Sequence, residues 1–455
     1  MNGRTLDSWK EIAGFLQRDI KTCQRWEKER GLPVHRLDGL KRSRVSANPE
    51  ELAAWRQKND IVASAKGADA PPDRKSAITR FVVIGIMAII FIAAALHFGV
   101  FAPLFSKAKK HAEDVAANPA DFHIAGTSLV VVNAAGSELW RFDTRNEKLA
   151  SEETYRNQML EDERYAQAAL PYLIIKDINH DGFAEVIFST QTTDNFDEGE
   201  LYVFDHKGTP LWDKMKVGGR HRFGAVEFSA DYRIEGMAAV DLDGDGNLEL
   251  ILMTAHMPEW PSQLIVIKAD GRILGDYWNA GRFTCLGFAD IDGDGTKEIL
   301  AAGTNNEYGK ACLIVLDPRN MNGGSPQTED EFKCPDFPKG TEEYYLLFPR
   351  TDVDLIESFP REAMDRIDLP ENRVIRVMPR ISRMYFELDY SLAVLRAKST
   401  YDFEIKHEKL LREGKIQSRL DGAYFETLKN GVLYWDGRAW VAHLAASHEE
   451  ARGSN

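Results

Sequence analysis

Three nine-residue segments carry most of the chemistry this chain offers. They are Asp177-Ile178-Asn179-His180-Asp181-Gly182-Phe183-Ala184-Glu185, Asp241-Leu242-Asp243-Gly244-Asp245-Gly246-Asn247-Leu248-Glu249 and Asp290-Ile291-Asp292-Gly293-Asp294-Gly295-Thr296-Lys297-Glu298. All align without a gap on D-x-[DN]-x-D-G-x-x-E. Side-chain oxygens at positions 1, 3, 5 and 9, with a backbone carbonyl at position 7, suit a hard cation that takes six or more oxygens. The expected ligands are Asp177, Asn179, Asp181, Phe183 and Glu185 in the first loop. In the second they are Asp241, Asp243, Asp245, Asn247 and Glu249, and in the third Asp290, Asp292, Asp294, Thr296 and Glu298. Carboxylates crowded into one turn repel one another unless a cation lies among them. Ca2+ is therefore expected in about three sites, and Mg2+ is disfavoured by its stricter octahedral geometry. These are not EF-hands, because position 12 is Phe188, Leu252 or Ala301 rather than a bidentate Glu.

Each loop needs a strand on either side to aim its ligands. LPYLIIK, RIEGMAAV and FTCLGFA precede the loops, and EVIFST, ELILMT and EILAAG follow them. The glycine after the third ligand permits the turn. A second motif alternates with the first. LVVVNAAGSELW (129–140) matches LYVFDHKGTPLW (201–212), and LIVIKADGRIL (264–274) and LIVLD (313–317) continue the series. Each reads as a strand, a tight turn and a return strand. The two motifs together recur every roughly 50–70 residues, the period of a propeller blade. On these residues the body, over 122–320, resembles an FG-GAP/VCBS-type β-propeller, similar to the integrin α-subunit head in its calcium hairpins. Glu at the ninth position departs from the Asp common in that family. Residues 321–455 read as a degenerate β-rich continuation or a C-terminal subdomain. There RMYFELDYSLAVL and AYFETLKNGVLYWDGRAWV suggest strand pairs, and residues 398–420 look partly helical.

The amino-terminal segment has different chemistry. Ser8 and Glu11 fit a capping box for a helix that puts Trp9, Ile12, Ala13 and Leu16 on one face. Asp19 can cap a second helix, Ile20–Arg30, which stops at Gly31 with Pro33 beyond. Ile20, Cys23 and Trp26 would pack on the first helix. Lys21, Thr22, Gln24, Arg25 and Lys28 would then face outward, and long donors there suit major-groove reading. A hairpin with a basic tip follows, in which His35, Arg36, Lys41, Arg42 and Arg44 would grip phosphates. A third helix begins near Asn48-Pro49. SWKEIAGFLQRDIKTCQRWEKERGLPVHR resembles the MerR-like and excisionase-like winged helix-turn-helix group, which implies that residues 1–60 bind double-stranded DNA.

Phe81–Phe101 holds no Asp, Glu, Lys or Arg. As a helix it would rise about 31 Å, enough to span a membrane. Residues 61–80 and 102–121 read as linkers. Residues 1–76 carry 16 Lys+Arg against 11 Asp+Glu, whereas the remainder carries 41 against 60, so head and body suit different surroundings. Lys and Arg flank the span four before and three after, and weak calcium sites need extracytosolic calcium. Both favour a cytoplasmic amino terminus and an extracytoplasmic propeller in the inner membrane. The expected fold class is thus multidomain: a small α-helical winged helix-turn-helix, a single transmembrane α-helix and an all-β calcium-loop β-propeller.

Mean hydropathy of −0.37 excludes a polytopic membrane protein. Four cysteines exclude a disulfide-rich scaffold, although one pair among Cys285, Cys312 and Cys334 could bridge. No G-x-S-x-G, H-E-x-x-H or phosphate-cradling glycine loop occurs, so the chain reads as a non-enzyme. A propeller lyase or glycosidase has no sequence pointer. The expected function is a membrane-tethered one-component transcription regulator whose propeller senses an unknown glycan or protein and which signals as a homodimer. The alternative is a calcium-dependent cell-surface adhesion or glycan-binding protein whose head binds a cytoplasmic protein.

Overall fold

Polar side chains at the helix starts set the bounds of the first two amino-terminal helices. The computed structural model describes residues 5–6, 8–16, 18–36, 45–64, 114–157, 170–193, 199–257, 260–356 and 360–443. The chain divides into two units, Met1–Leu104 and Phe105–Asn455. The first holds α1 (Trp9–Leu16), α2 (Ile20–Arg30), β1 (His35–Arg36), β2 (Val45–Ser46) and α3 (Pro49–Ser64). Ser8 Oγ accepts from the Glu11 amide at 3.3 Å and Asp19 Oδ1 from that of Thr22 at 2.8 Å, so two orphan donors are satisfied. Gly31, at φ 58°, ends α2. Ile12, Ala13, Leu16, Cys23, Leu32, Val45, Ala47 and Leu52 form the core, with Trp9 and Trp26 packed against it. Ile20, expected inward, is 41% exposed, because it opens α2 ahead of the packed face. β1 and β2 pair antiparallel. Trp55 of α3 donates to the Arg30 carbonyl at 3.0 Å and lies against Trp26.

The expected membrane span, residues 81–101, lies outside the described residues. Among those described, no helix is long and apolar enough to cross a membrane. The longest, α3, has 16 residues and carries Glu50 and Glu51 in its first turn. It rises about 24 Å where a hydrocarbon core needs about 30 Å. The expected fold class, with its single transmembrane helix, and the expected single-pass inner-membrane localisation are corrected accordingly: no described helix supports either.

The second unit is a run of antiparallel sheets in chain order. The first contains β3 (Pro119–Ala125), β4 (Ser128–Asn133) and β5 (Glu138–Asp143), followed by α4 (Glu152–Asn157). The second contains β6 (Leu173–Lys176), β7 (Glu185–Ser189), β8 (Glu200–Phe204) and β9 (Met215–Lys216). A separate hairpin, β10 (His221–Phe223) and β11 (Val226–Phe228), intervenes. The third sheet contains β12 (Tyr232–Val240), β13 (Glu249–His256), β14 (Ser262–Ile267) and β15 (Ile273–Asn279). The fourth contains β16 (Gly281–Ala289), β17 (Glu298–Asn305), β18 (Lys310–Leu316) and β19 (Tyr344–Leu347), with α5 (Asp352–Ile356) after it. The fifth contains β20 (Met364–Asp368), β21 (Val374–Pro379), β22 (Tyr385–Asp389) and β23 (Val394–Lys398). Then come α6 (Tyr401–Arg412) and α7 (Gly422–Asn430), and finally β24 (Leu433–Trp435) and β25 (Trp440–Val441), which extend the fourth sheet beyond β19.

Sequential up-and-down sheets of this kind are propeller blades. Second strands such as β7, β13 and β17 are buried along almost their whole length, which is why they read as continuous apolar runs. First strands of neighbouring blades touch, as β3 does β6 and β16 does β20. The expected all-β body is also corrected. AYFETLKN forms α7 rather than a strand, since Asp421 caps it by accepting from the Tyr424 amide at 3.0 Å and Leu428 turns into the core.

A tryptophan joins consecutive blades. Gly208 and Gly271 sit in the tight turns of the second motif at φ 82° and 86°. A Cβ on Gly208 would lie 2.7 Å from the Trp140 ring of the preceding blade, and one on Gly271 would lie 2.7 Å from Trp212. Trp140 Nε1 also donates to the His206 carbonyl at 3.1 Å. The missing side chain is therefore what lets the indole close over the turn. Gly271→Ala should strain the backbone and push Trp212 away, costing about 1–3 kcal/mol. Urea unfolding of the full chain measures this, and an unchanged midpoint would show that the contact is dispensable.

Candidate metal centres

The three loops sit between the first and second strands of the second, third and fourth blades. In each, the ninth-position glutamate starts the second strand and is buried: Glu185 is 0% exposed, Glu249 2% and Glu298 1%. Its Oε2 accepts the backbone N–H of position 2, from Ile178 at 2.9 Å, Leu242 at 3.0 Å and Ile291 at 2.8 Å. Position 1 accepts from the glycine amide at position 6, at 3.0, 3.3 and 3.1 Å in turn. Positions 3 and 5 accept from the amides two residues on, as Asp243 does from Asp245 at 3.2 Å and Asp294 from Thr296 at 2.8 Å. The ninth-position Oε1 of each loop lies beyond the bond to position 2, whereas Asp241 and Asp290 accept backbone amides at both oxygens.

The donor set fits a hard cation. One carboxylate oxygen each from Asp241, Asp243 and Glu249 lies within 4.8 Å of the others, as do those of Asp290, Asp292 and Asp294. Oxygens bound at about 2.3–2.6 Å to one Ca2+ span such distances. In the first loop Asp177 Oδ1 is buried and makes no hydrogen bond. Its counterparts in Asp241 and Asp290 accept from Gly244 and Gly293, both at 2.7 Å. The residue in that place is His180, held at φ 63°. Burial outweighs the position-2 hydrogen bond and, with a smaller push from the neighbouring acids, moves the Glu185 and Glu298 carboxyls up to about 7, and that of Glu249 also upward. A charge is thus disfavoured there until a cation accompanies it.

Two basic residues enter the loops, and sequence reasoning missed both. Lys268 Nζ lies 3.2 Å from Asp243, 3.6 Å from Glu249 and 3.8 Å from Asp245. Arg319 bridges Asp294 at 2.6 Å and Asp317 at 2.9 Å. Each comes from the turn after the third strand of the same blade. The corresponding turn of the second blade supplies His206, which stacks on Phe183 with ring centres 4.0 Å apart. No Lys or Arg among the described residues bridges Asp177, Asp181 or Glu185, and Asn179 donates to Glu185 at 3.1 Å. Phe183, Asn247 and Thr296 occupy position 7, where the backbone carbonyl is the candidate ligand.

Of the candidate DNA contacts, Lys21, Gln24, Arg25 and Lys28 are exposed on α2. Thr22 is engaged in the cap, its hydroxyl donating to Asp19 at 2.7 Å. His35 Nε2 lies 2.8 Å from Glu51, and Arg36 ends β1. Lys41, Arg42 and Arg44 lie outside the described residues. All four cysteines are free, so no pair among Cys285, Cys312 and Cys334 bridges.

A cavity of about 980 Å³ lies away from the loops. Its walls include Phe223, Trp278, Gln327, Phe332, Phe337 and Trp435. Trp278 and Phe337 stack 4.6 Å apart. Gln327 Oε1 and Trp435 Nε1 are buried without a hydrogen bond. The walls come from the β10–β11 hairpin, the β15–β16 corner that carries Trp278, the excursion between β18 and β19, and β24 with the turn after it. No repeat marks the hairpin or the excursion, so the sequence did not point to the cavity.

Residues 177–252, which span the first two loops, match the FG-GAP-like repeat family. No curated protein matches the chain. Among solved structures, a protein of unknown function from Bacteroides caccae is 10% identical, with a TM-score of 0.29, over 63% of this chain and 74% of that one. BamB from Moraxella catarrhalis is 12% identical, with a TM-score of 0.27, over 62% and 59%. Bacillus licheniformis rhamnogalacturonan lyase PL11 is 15% identical, with a TM-score of 0.29, over 50% and 41%. Scores this low leave the blade description resting on this chain's own sheets and on the repeat match.

Calcium is expected to raise the thermal midpoint of the full chain, and chelator to reverse it. At a hundred times Kd, one site adds about 2.7 kcal/mol. Glu298→Gln should remove one loop's share, and Lys268→Ala should strengthen calcium binding in the second loop. Identical melting curves with calcium and with chelator would contradict cation binding by the loops.

Proposed function

We propose that this chain is a one-component transcription regulator. Residues 1–60 bind double-stranded DNA, and a calcium-stabilised propeller binds the ligand that sets the response. The observation that carries this reading is α2. One face buries Cys23 and packs Trp26, while Lys21, Gln24, Arg25 and Lys28 are exposed. Arg can bond guanine O6 and N7, and Gln adenine N6 and N7. The β1–β2 hairpin lies beside these helices in the chain and contributes His35 and Arg36, with Lys41, Arg42 and Arg44 for phosphates. An excess of five basic charges over residues 1–76, against a deficit of 19 over the rest, favours DNA at the head and disfavours it at the body. One such module alone binds weakly and with strong salt dependence, so the regulator works as a homodimer on paired half-sites.

The ligand belongs in the cavity. Its volume of about 980 Å³ is at the upper end of the range for small-molecule sites. Half-buried Phe337, backed by the buried Trp278, gives the lining an aromatic ring of the kind that packs on sugars, which supports a glycan ligand.

Fluorescence anisotropy of the full chain on a selected duplex and on bulk DNA tests the DNA-binding part. Arg25→Ala should weaken specific binding by about 1–3 kcal/mol and relax discrimination. Lys21→Ala should weaken both duplexes alike and lower the salt slope by about one. Equal affinity for every duplex, unchanged in both variants, would contradict the reading.

A further inference from the structure

A thiol, an imidazole and a carboxylate meet beside the cavity, apart from the oxygen-only loops. His221, Cys334 and Asp336 each place a ligand atom within 4.8 Å of the other two. His221 Nδ1 lies 3.6 Å from Asp336 Oδ2, and Cys334 Sγ lies 3.9 Å from that same oxygen. Ligands bound at about 2.0–2.3 Å around a tetrahedral ion stand roughly 3.3–3.8 Å from one another. These two separations lie within a few tenths of an ångström of such edges.

The imidazole is held in place. Its ring centre is 4.5 Å from that of Trp278 and 4.7 Å from that of Phe337. A Cβ on Gly219 would come within 3.0 Å of His221 Nε2, so the bare backbone there makes room for the ring. Two separate insertions supply the three residues. His221 opens β10, whereas Cys334 and Asp336 lie in residues 317–343 between β18 and β19. Backbone already joins these insertions, since the Gly224 amide donates to the Lys333 carbonyl at 2.9 Å. Cys334 also lines the cavity.

We propose that His221, Cys334 and Asp336 form a binding site for a divalent transition metal of the Zn2+ class. Sulfur and imidazole nitrogen select such an ion over Ca2+ and Mg2+, which prefer oxygen. No fourth His, Cys, Asp or Glu joins the group among the described residues. A four-coordinate ion would then take water or a ligand group as its fourth partner, as in open zinc sites. Bound there, it would tie the β10–β11 hairpin to the excursion and fix one wall of the cavity.

Cobalt reads this site selectively. The metal-stripped full chain is first saturated with calcium, then titrated with Co2+. One equivalent should bring up a thiolate-to-cobalt charge-transfer band with tetrahedral visible bands, and Zn2+ should bleach both. Oxygen-only loops cannot give the thiolate band. Cys334→Ser should abolish it, and His221→Ala should weaken the affinity at least roughly tenfold. A second assay uses the unaltered chain. Cys23, Cys285 and Cys312 are buried, so Cys334 is the thiol open to alkylation. Zn2+ should slow that alkylation, and Ca2+ should leave it unchanged. Absence of the charge-transfer band, its survival in Cys334→Ser, or alkylation at one rate with and without Zn2+ would each overturn the site.

Discussion

A carboxylate driven into the sheet interior is the constraint around which the propeller blades are organised. In three successive blades the ninth loop residue begins a buried strand, and its oxygen holds the amide of position 2. The side chain of position 2, Ile178, Leu242 or Ile291, inserts into the core at 0–3% exposure. Core packing and loop charge are therefore fixed by one short hydrogen bond. Burying an ionised carboxylate is expensive unless opposite charge accompanies it. The blades answer this differently. Lys268 brings a cation to Glu249 in the second loop, Arg319 reaches Asp294 rather than Glu298 in the third, and the first loop has a neutral Asn179 and an unbonded Asp177 oxygen.

That arrangement links metal chemistry to the rest of the unit. Lys268 precedes the turn that Gly271 closes, and that turn carries Trp212 from the preceding blade. Movement in a loop is thus adjacent to the contact between blades. The insertions add a second level, because the hairpin and the long excursion leave the blades and build the cavity from aromatic rings. A repeated blade frame and the insertions that leave it are thus distinct parts of the unit, the first closing the core and the second lining the cavity.

Much of this was legible in the sequence. The loops could be read because alternate ligands and an obligatory glycine make a rigid pattern, and the flanking strands because buried second strands are continuous apolar runs. The pattern faded beyond residue 320 for a simple reason: β18 ends at Leu316 while its partner β19 starts at Tyr344. The fourth blade is split by its excursion, which hides the repeat. AYFETLKN read as part of a strand pair, but the Asp421 cap decides for helix. Lys268, Arg319 and the His221–Cys334–Asp336 group were invisible because their partners lie far off in the chain. Hydropathy over residues 81–101 suggested a membrane helix, whereas no described helix has the length and apolarity to serve as one.

The most direct measurement is equilibrium dialysis of the full chain against calcium over the micromolar to millimolar range. The account predicts about three ions bound per chain through oxygen ligands. A chain that retains no calcium at millimolar concentration would contradict it, and the buried glutamates would then be held by the position-2 amides, by Lys268 at Glu249 and by bound protons.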